Sequence, residues 1–375
     1  MRGESLRRIK EAAWFVVDQL TESDSFSLVA FHDRAQVLIP NHGAVHPSII
    51  RTAISALEAR GGTEIAQGLT AALQEVQRGA SPRYLNHIVF FTDGHTYGDE
   101  AICQDLARQA GEASITISAL GLGPDWNEAL LDDIAALSGG VSMYIDSPAG
   151  ITPAFQEQIL RLRAVMIRDA GLEIELGEGA AVRTAYKFYP AIAALNAAPG
   201  KFLTLPLGSI ERHPGQTVLL ELQVPPLSAP GSVSLARVRL MGQLSSAQSA
   251  ERTALVQTDL LATCAADPET PPIAPRLRGF VERVVAYRLQ ERAWQDLAEE
   301  QIDQATSRLR SAATKLLELG EVDLARETIR EAKRLETTGR TSLIGKKRIR
   351  YGTRSLGSSP LPWHSPHGSG RGKKP

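Results

Sequence analysis

Arg60-Gly61-Gly62-Thr63-Glu64 and Asn86-His87-Ile88-Val89-Phe90-Phe91-Thr92-Asp93-Gly94 decide how this chain is read. The second stretch is an apolar run, as expected of a strand covered on both faces, and it ends in a turn at Asp93-Gly94. The first is a glycine turn. It leads into a helix from Thr63 to about Val76, with Ile65, Leu69, Ala72, Leu73 and Val76 on one face. In an open α/β sheet, loops at the carboxyl ends of the strands converge on one crevice, the usual place for a ligand. Thr63 brings a hydroxyl and Asp93 a carboxylate, hard oxygen donors of the kind that suit Mg²⁺ or Mn²⁺.

Working outward, Leu6, Ile9, Ala12, Ala13, Val16, Val17 and Leu20 make a helical stripe over residues 4–20. Phe26–Phe31 and Ala35–Ile39 predict a hairpin, and residues 47–58 a short helix with Pro47 near its start. After the strand at 86–91 come a helix near 99–111, a strand at 114–120, a helix at 127–137, a strand at 141–145 and a helix at about 151–168. Alternating strands and helices predict an α/β fold over residues 1–168, a doubly wound, Rossmann-like sheet with the hairpin as its antiparallel edge.

The remaining chain divides by composition. Residues 169–262 hold short alternating segments such as Leu172–Leu176 and Val233–Leu240 between Pro/Gly turns, the signature of a β-sandwich. Residues 275–340 carry apolar residues at helical spacing, from Phe280 to Leu335, and predict a small α-helical domain packed on the sandwich. Residues 341–375 contain Lys346, Lys347, Arg348, Arg350, Arg354, Arg371, Lys373 and Lys374 and no acid, and are expected to form a basic, disordered tail.

At 375 residues and 43% hydrophobic, the chain is long enough for two or three domains with cores of their own. The whole chain carries −1; the tail contributes +8, so residues 1–340 carry −9. Such a tail alone makes a weak case for nucleic acid. Cys103 and Cys264 are too far apart to form a metal motif or a disulfide framework, which fits a reducing, cytoplasmic setting. No apolar run approaches the roughly 20 residues needed to span a bilayer.

The two loops resemble the second and third metal-binding loops of a von Willebrand factor A (vWA) domain, and the likeness extends over residues 1–168. Bacterial vWA proteins often carry a β-sandwich beside that domain, which the second half resembles as well. In the family a first loop, Asp-x-Ser-x-Ser, is often followed by Met-x-Gly and a helix. Met1-Arg2-Gly3-Glu4-Ser5 matches only that following part. The resemblance therefore implies an N-terminally truncated vWA domain whose sheet lacks its central first strand. It also implies a metal-ion-dependent adhesion site, MIDAS, at which Mg²⁺ draws in a carboxylate from a protein partner.

The family's first loop supplies one carboxylate and two hydroxyls, its second loop the hydroxyl matched by Thr63, its third the carboxylate matched by Asp93. Two of five positions are thus present, so Mg²⁺ is expected to bind weakly or not at all, since the ion favours near-complete octahedral geometry. Glu4 or Ser5 is a candidate substitute from the first helical turn. Without a metal, Thr63 would serve as the N-cap of the following helix and Asp93 as a turn carboxylate.

Nothing points to catalysis. There is no nucleophile elbow or P-loop, and Gly121-Leu122-Gly123-Pro124 falls short of a dinucleotide fingerprint. The expected function is a non-catalytic protein–protein interaction module that recruits an acidic partner. The alternative is a regulatory or adaptor subunit of a partner ATPase of chelatase or AAA type.

Overall fold

The computed structural model describes residues 3–41, 47–59, 61–81, 84–226, 230–245, 252–264 and 272–358. Met1, Arg2, Arg60 and the end of the basic tail, with Arg371, Lys373 and Lys374, lie outside the described residues.

The first third of the chain is an α/β layer structure. It contains α1 (Glu4–Gln19), β1 (Leu28–Phe31), β2 (Ala35–Ile39), α2 (Pro47–Ser55), α3 (Ile65–Gly79), β3 (Asn86–Thr92), α4 (Glu100–Glu112), β4 (Ile115–Leu122), α5 (Glu128–Leu137), β5 (Ser142–Ile145) and α6 (Ile151–Ala164). Strands β3, β4 and β5 form a parallel sheet in that order. Its two faces make separate cores. Ile65, Leu69 and Leu73 of α3, Ala107 of α4 and Leu131 and Ile134 of α5 pack with Ile88, Phe90 and Ile117. Ala12 of α1 and Ile151 and Ala154 of α6 pack with Phe91, Leu120 and Ile145. Alternation along each strand sends successive side chains to opposite cores.

The hairpin does not extend this sheet. Strands β1 and β2 pair antiparallel as a two-stranded sheet of their own. All four residues of β1 are only half-buried. Side chains bridge the two sheets instead: the Phe31 ring of β1 stacks on Phe90 of β3 with centroids 5.3 Å apart. One backbone bond, from Glu64 N to His32 O at 2.8 Å, ties the loop before α3 to the hairpin turn.

The helix expected to reach residue 168 ends at Ala164, and the chain enters β6 (Val165–Leu176) with no intervening loop. Val165 and Ile167 are claimed by pairing with Glu211 and Ile210, a tertiary partner that local helical spacing does not reveal. The sandwich adds β7 (Ala181–Lys187), β8 (Ala193–Ala194), β9 (Phe202–Glu211), β10 (Val218–Gln223), β11 (Gly231–Leu244) and β12 (Thr253–Cys264). One sheet runs β12-β11-β6-β9, the other β10-β7-β8. Ile174, Leu203 and Leu205 from the first meet Ala185, Leu220 and Leu222 from the second in one core.

Four helices complete the fold: α7 (Pro275–Ala298), α8 (Ile302–Glu318), α9 (Val322–Thr338) and α10 (Leu343–Ser355). Phe188 and Ile192 pack against Val284, Leu316 and Leu356, joining this domain to the sandwich. Here the expected disordered tail needs correction, because residues 343–355 are helix α10. Its cations meet acids elsewhere in the fold: Lys346 approaches Glu128 at 3.5 Å, Arg350 approaches Asp132 at 3.1 Å, and Arg354 binds Asp132 at 2.7 Å. Burial pushes the Asp132 carboxyl up, and Arg354 and Arg350 more than offset this, holding it below the usual carboxylate range. No helix among the described residues is long and apolar enough to cross a membrane.

Candidate metal and partner-docking crevice

Three loops meet at the carboxyl ends of β1 and β3. The hairpin turn contributes His32 and Asp33. Asp33 Oδ1 accepts a hydrogen bond from Gly62 N at 2.7 Å and holds the glycine turn in place. A side chain on Gly61 or Gly62 would displace that exposed carboxylate, and Gly61, with φ +62, sits in the left-handed region that favours glycine.

Thr63 is brought against Gly94, the residue that follows Asp93. A Cβ on Gly94 would stand 2.8 Å from Thr63 Oγ1, so the Thr63 hydroxyl lies directly against the Asp93-Gly94 turn. The Thr63 and Asp93 side chains are half-buried. The turn is tied by Thr92, whose hydroxyl donates to Gly94 O at 3.2 Å and accepts from Gly94 N at 3.3 Å.

Thr63 does not cap the helix. Residue Glu64 occupies the N-cap of α3 and makes no side-chain cap bond. The first free amides of α3 are satisfied from the next loop: Ile65 N donates to Thr96 Oγ1 at 3.3 Å and Ala66 N to Asp99 Oδ2 at 2.8 Å. Thr96 in turn donates to Asp99 Oδ1 at 2.5 Å. Asp99 and Thr96 are buried, and this pair was not singled out from sequence. Their signal is a Thr-x-x-Asp spacing ahead of a helix other than the one they cap, which only the fold connects.

Glu4, a candidate substitute ligand in the sequence reading, has its carboxylate along α1 against Arg7 at 3.5 Å and Arg8 at 3.6 Å. The crevice donors match Mg²⁺ in kind but not in number. Among the described residues no group of three or more His, Cys, Asp or Glu side chains is disposed to hold a metal ion. Two aromatic residues rim the site: Tyr97 is 82% exposed, and the His95 ring stacks on it at 5.9 Å. A thiol nucleophile is not on offer nearby, since burial and then Asp99 push the Cys103 thiol up to about 12.

A parallel sheet with helices on both faces, and a hydroxyl loop meeting an Asp-Gly turn at its carboxyl end, defines a vWA-type domain, here followed by antiparallel sheets and a C-terminal helical domain. Residues 1–144 match the von Willebrand factor type A domain model, and residues 275–359 match the Sll0103-like, C-terminal alpha-helical domain. Residues 1–144 are thus a vWA-type domain, and bacterial proteins are among the relatives of the chain. It is 36% identical over 177 residues to the Synechocystis sp. protein sll0103, covering 47% of this chain and 42% of that one. It is 26% identical over 176 residues to YfbK of Escherichia coli, covering 46% and 31%. The chain thus spans less than half the length of these curated relatives. Among solved structures, the von Willebrand factor type A protein from Catenulispora acidiphila superposes with a TM-score of 0.77 at 20% identity, covering 94% of this chain and 85% of that one. The ArnB paralog VWA2 from Sulfolobus acidocaldarius gives 0.53 at 15% identity, covering 94% and 84%. At these identities the two likenesses bear on fold alone.

Proposed function

We propose that this chain is a non-catalytic protein–protein interaction module, and that its crevice of residues 61–64 and 93–99 receives an acidic side chain from a protein partner. The observation that carries the reading is the meeting of two loops, with Thr63 Oγ1 2.8 Å from the Cβ position of Gly94. Mg²⁺ at Thr63 and Asp93 would supply an electrophile for the incoming carboxylate. With so few protein donors the affinity for the ion is weak, and much of the docking contact falls to the rim. Tyr97 and His95 present an exposed aromatic pair there, the residue type enriched at interface centres.

Mn²⁺ serves as a paramagnetic probe of this reading. On titration into the full chain, the amide resonances of Thr63 and Gly94 broaden before those of the sandwich, and Asp93→Ala removes the preference. Indifference of both loops to Mn²⁺, with Asp93→Ala behaving as wild type, would overturn the metal-assisted reading.

A further inference from the structure

A cavity lies at the opposite, amino end of the parallel strands. It separates the vWA layer from the sandwich and has a volume of about 870 Å³, within the range that takes a small organic molecule. All three parts of the fold wall it: Gly139-Gly140 after α5, residues 190–195 around β8, and Tyr287 and Arg354 of the helical domain. A pocket of about 50 Å³ shares Lys187, Gly140 and Ser209 with it.

The charges on the walls of the larger cavity are mostly committed. Asp132 binds Arg354 at 2.7 Å, Asp169 binds Arg252 at 3.2 Å, and Arg168 donates to Tyr84 O at 3.0 Å. Lys187 is different. Among the described residues its amine makes no ion pair or hydrogen bond, and the nearby Glu211 is taken by Arg161 at 3.1 Å. Strand alternation explains its position. Ala185 points into the sandwich core, so Lys187, two residues on, points to the same side at the end of that core. The surface it retains lines the two cavities. Burial lowers its pKa, and Arg161 adds to the effect, the condition in which a cation gains most from an anionic partner.

The rest of the wall is largely apolar, with Ala191, Ile192, Ala193, Leu195 and Pro206. One unpaired cation matches one negative charge. A phosphate dianion would leave charge unmatched beside Asp132 and Asp169.

We infer that this cavity binds a small organic monoanion, a carboxylate with an apolar chain, its carboxylate on Lys187 and its chain along the wall near β8. The site is independent of the metal crevice.

Octanoate is a suitable probe, titrated into the full chain by calorimetry beside octan-1-ol. The expected result is saturable octanoate binding that is weakened roughly tenfold or more in Lys187→Gln, the loss of one charge-assisted contact, and largely kept in Lys187→Arg. Octan-1-ol binds weakly to wild type and to Lys187→Gln alike. Ala193→Phe, cross-strand from Lys187, keeps the charge but narrows the cavity beside it and weakens octanoate binding, so a Lys187→Gln chain that failed to fold would still leave this test. Absence of octanoate binding at millimolar concentration, or equal affinity in wild type and both Lys187→Gln and Ala193→Phe, would overturn the inference.

Discussion

His87 is a case in which placement reverses the usual behaviour of a side chain. It lies on β3 beside the small pocket, where its Nε2 is 3.0 Å from Ser118 Oγ, and Ser118 Oγ donates to Gln158 Oε1 at 3.0 Å. Burial, reinforced by the charge of Arg161, lowers its pKa to about 3. The folded imidazole therefore stays neutral between about pH 6.5 and about 3, while the unfolded chain takes up a proton. Since the unfolded state binds more protons in that window, stability falls as pH falls through it, by at most about 1.4 kcal/mol per pH unit. His87→Gln keeps hydrogen-bonding capacity without titrating. Urea unfolding at several values between pH 7 and 4 should give a flatter stability profile for the variant than for wild type. Parallel profiles would exclude His87 as a source of acid sensitivity. At this scale the proposed crevice residues were the more legible ones, because Thr63 and Asp93 each sit beside a glycine turn that marks a loop. Lys187 carried no such mark. Its sequence neighbours read as an ordinary strand, and only the junction of two domains desolvates it.

Among the elements, α10 departs most from its sequence reading. Lys346-Lys347-Arg348-Ile349-Arg350 looks like a solvated run when nothing opposes it. The acids that oppose it are Glu128 and Asp132 on α5, Asp146 after β5 and Glu291 on α7, remote in sequence from the run they face; one bond from Lys347 Nζ to Pro124 O spans 223 positions. Lys347 is 1% exposed, donates to Pro124 O at 2.8 Å and Trp126 O at 2.9 Å, and stands 3.6 Å over the Trp126 ring. The −9 carried by residues 1–340 was the only trace of this docking in composition. The helices and strands of the first 145 residues, by contrast, were readable because local apolar periodicity alone sets their faces. Asp132 is the keystone of the α10 interface, since it faces both Arg350 and Arg354. Asp132→Ala leaves two poorly solvated guanidinium groups without that partner, a change that typically costs about 3 kcal/mol or more. Denaturant unfolding should register this loss, and pairing the change with Arg354→Met should restore part of it. A loss below about 0.5 kcal/mol would place the interface among surface ion pairs of little worth.

The whole molecule is held together less evenly than its sheet order suggests. Among the described residues β4 is hydrogen-bonded on both sides, to β3 and β5, and Ile117, Ala119 and Leu120 within it are fully buried. Strand β1 has a ladder on one side only, to β2, and its link to β3 is the Phe31–Phe90 stack rather than a backbone ladder. Side-chain stacking of this kind contributes about 0.5–1.5 kcal/mol beyond area burial, which is small beside a row of sheet hydrogen bonds closed in a dry core. The β1–β2 hairpin with α2 should therefore open at lower free energy than the β3–β5 core, as a separate cooperative unit. Native-state amide exchange measures this directly. The amides of β4 are expected to exchange only through global unfolding, and those of Val29 and Phe31 through a cheaper local opening. Phe31→Ala should widen the difference by weakening the bridge while leaving β4 exchange nearly unchanged. If β1 and β4 amides instead report one common opening free energy, the two sheets fold as a single unit, and the aromatic bridge couples them far more strongly than its contact accounts for.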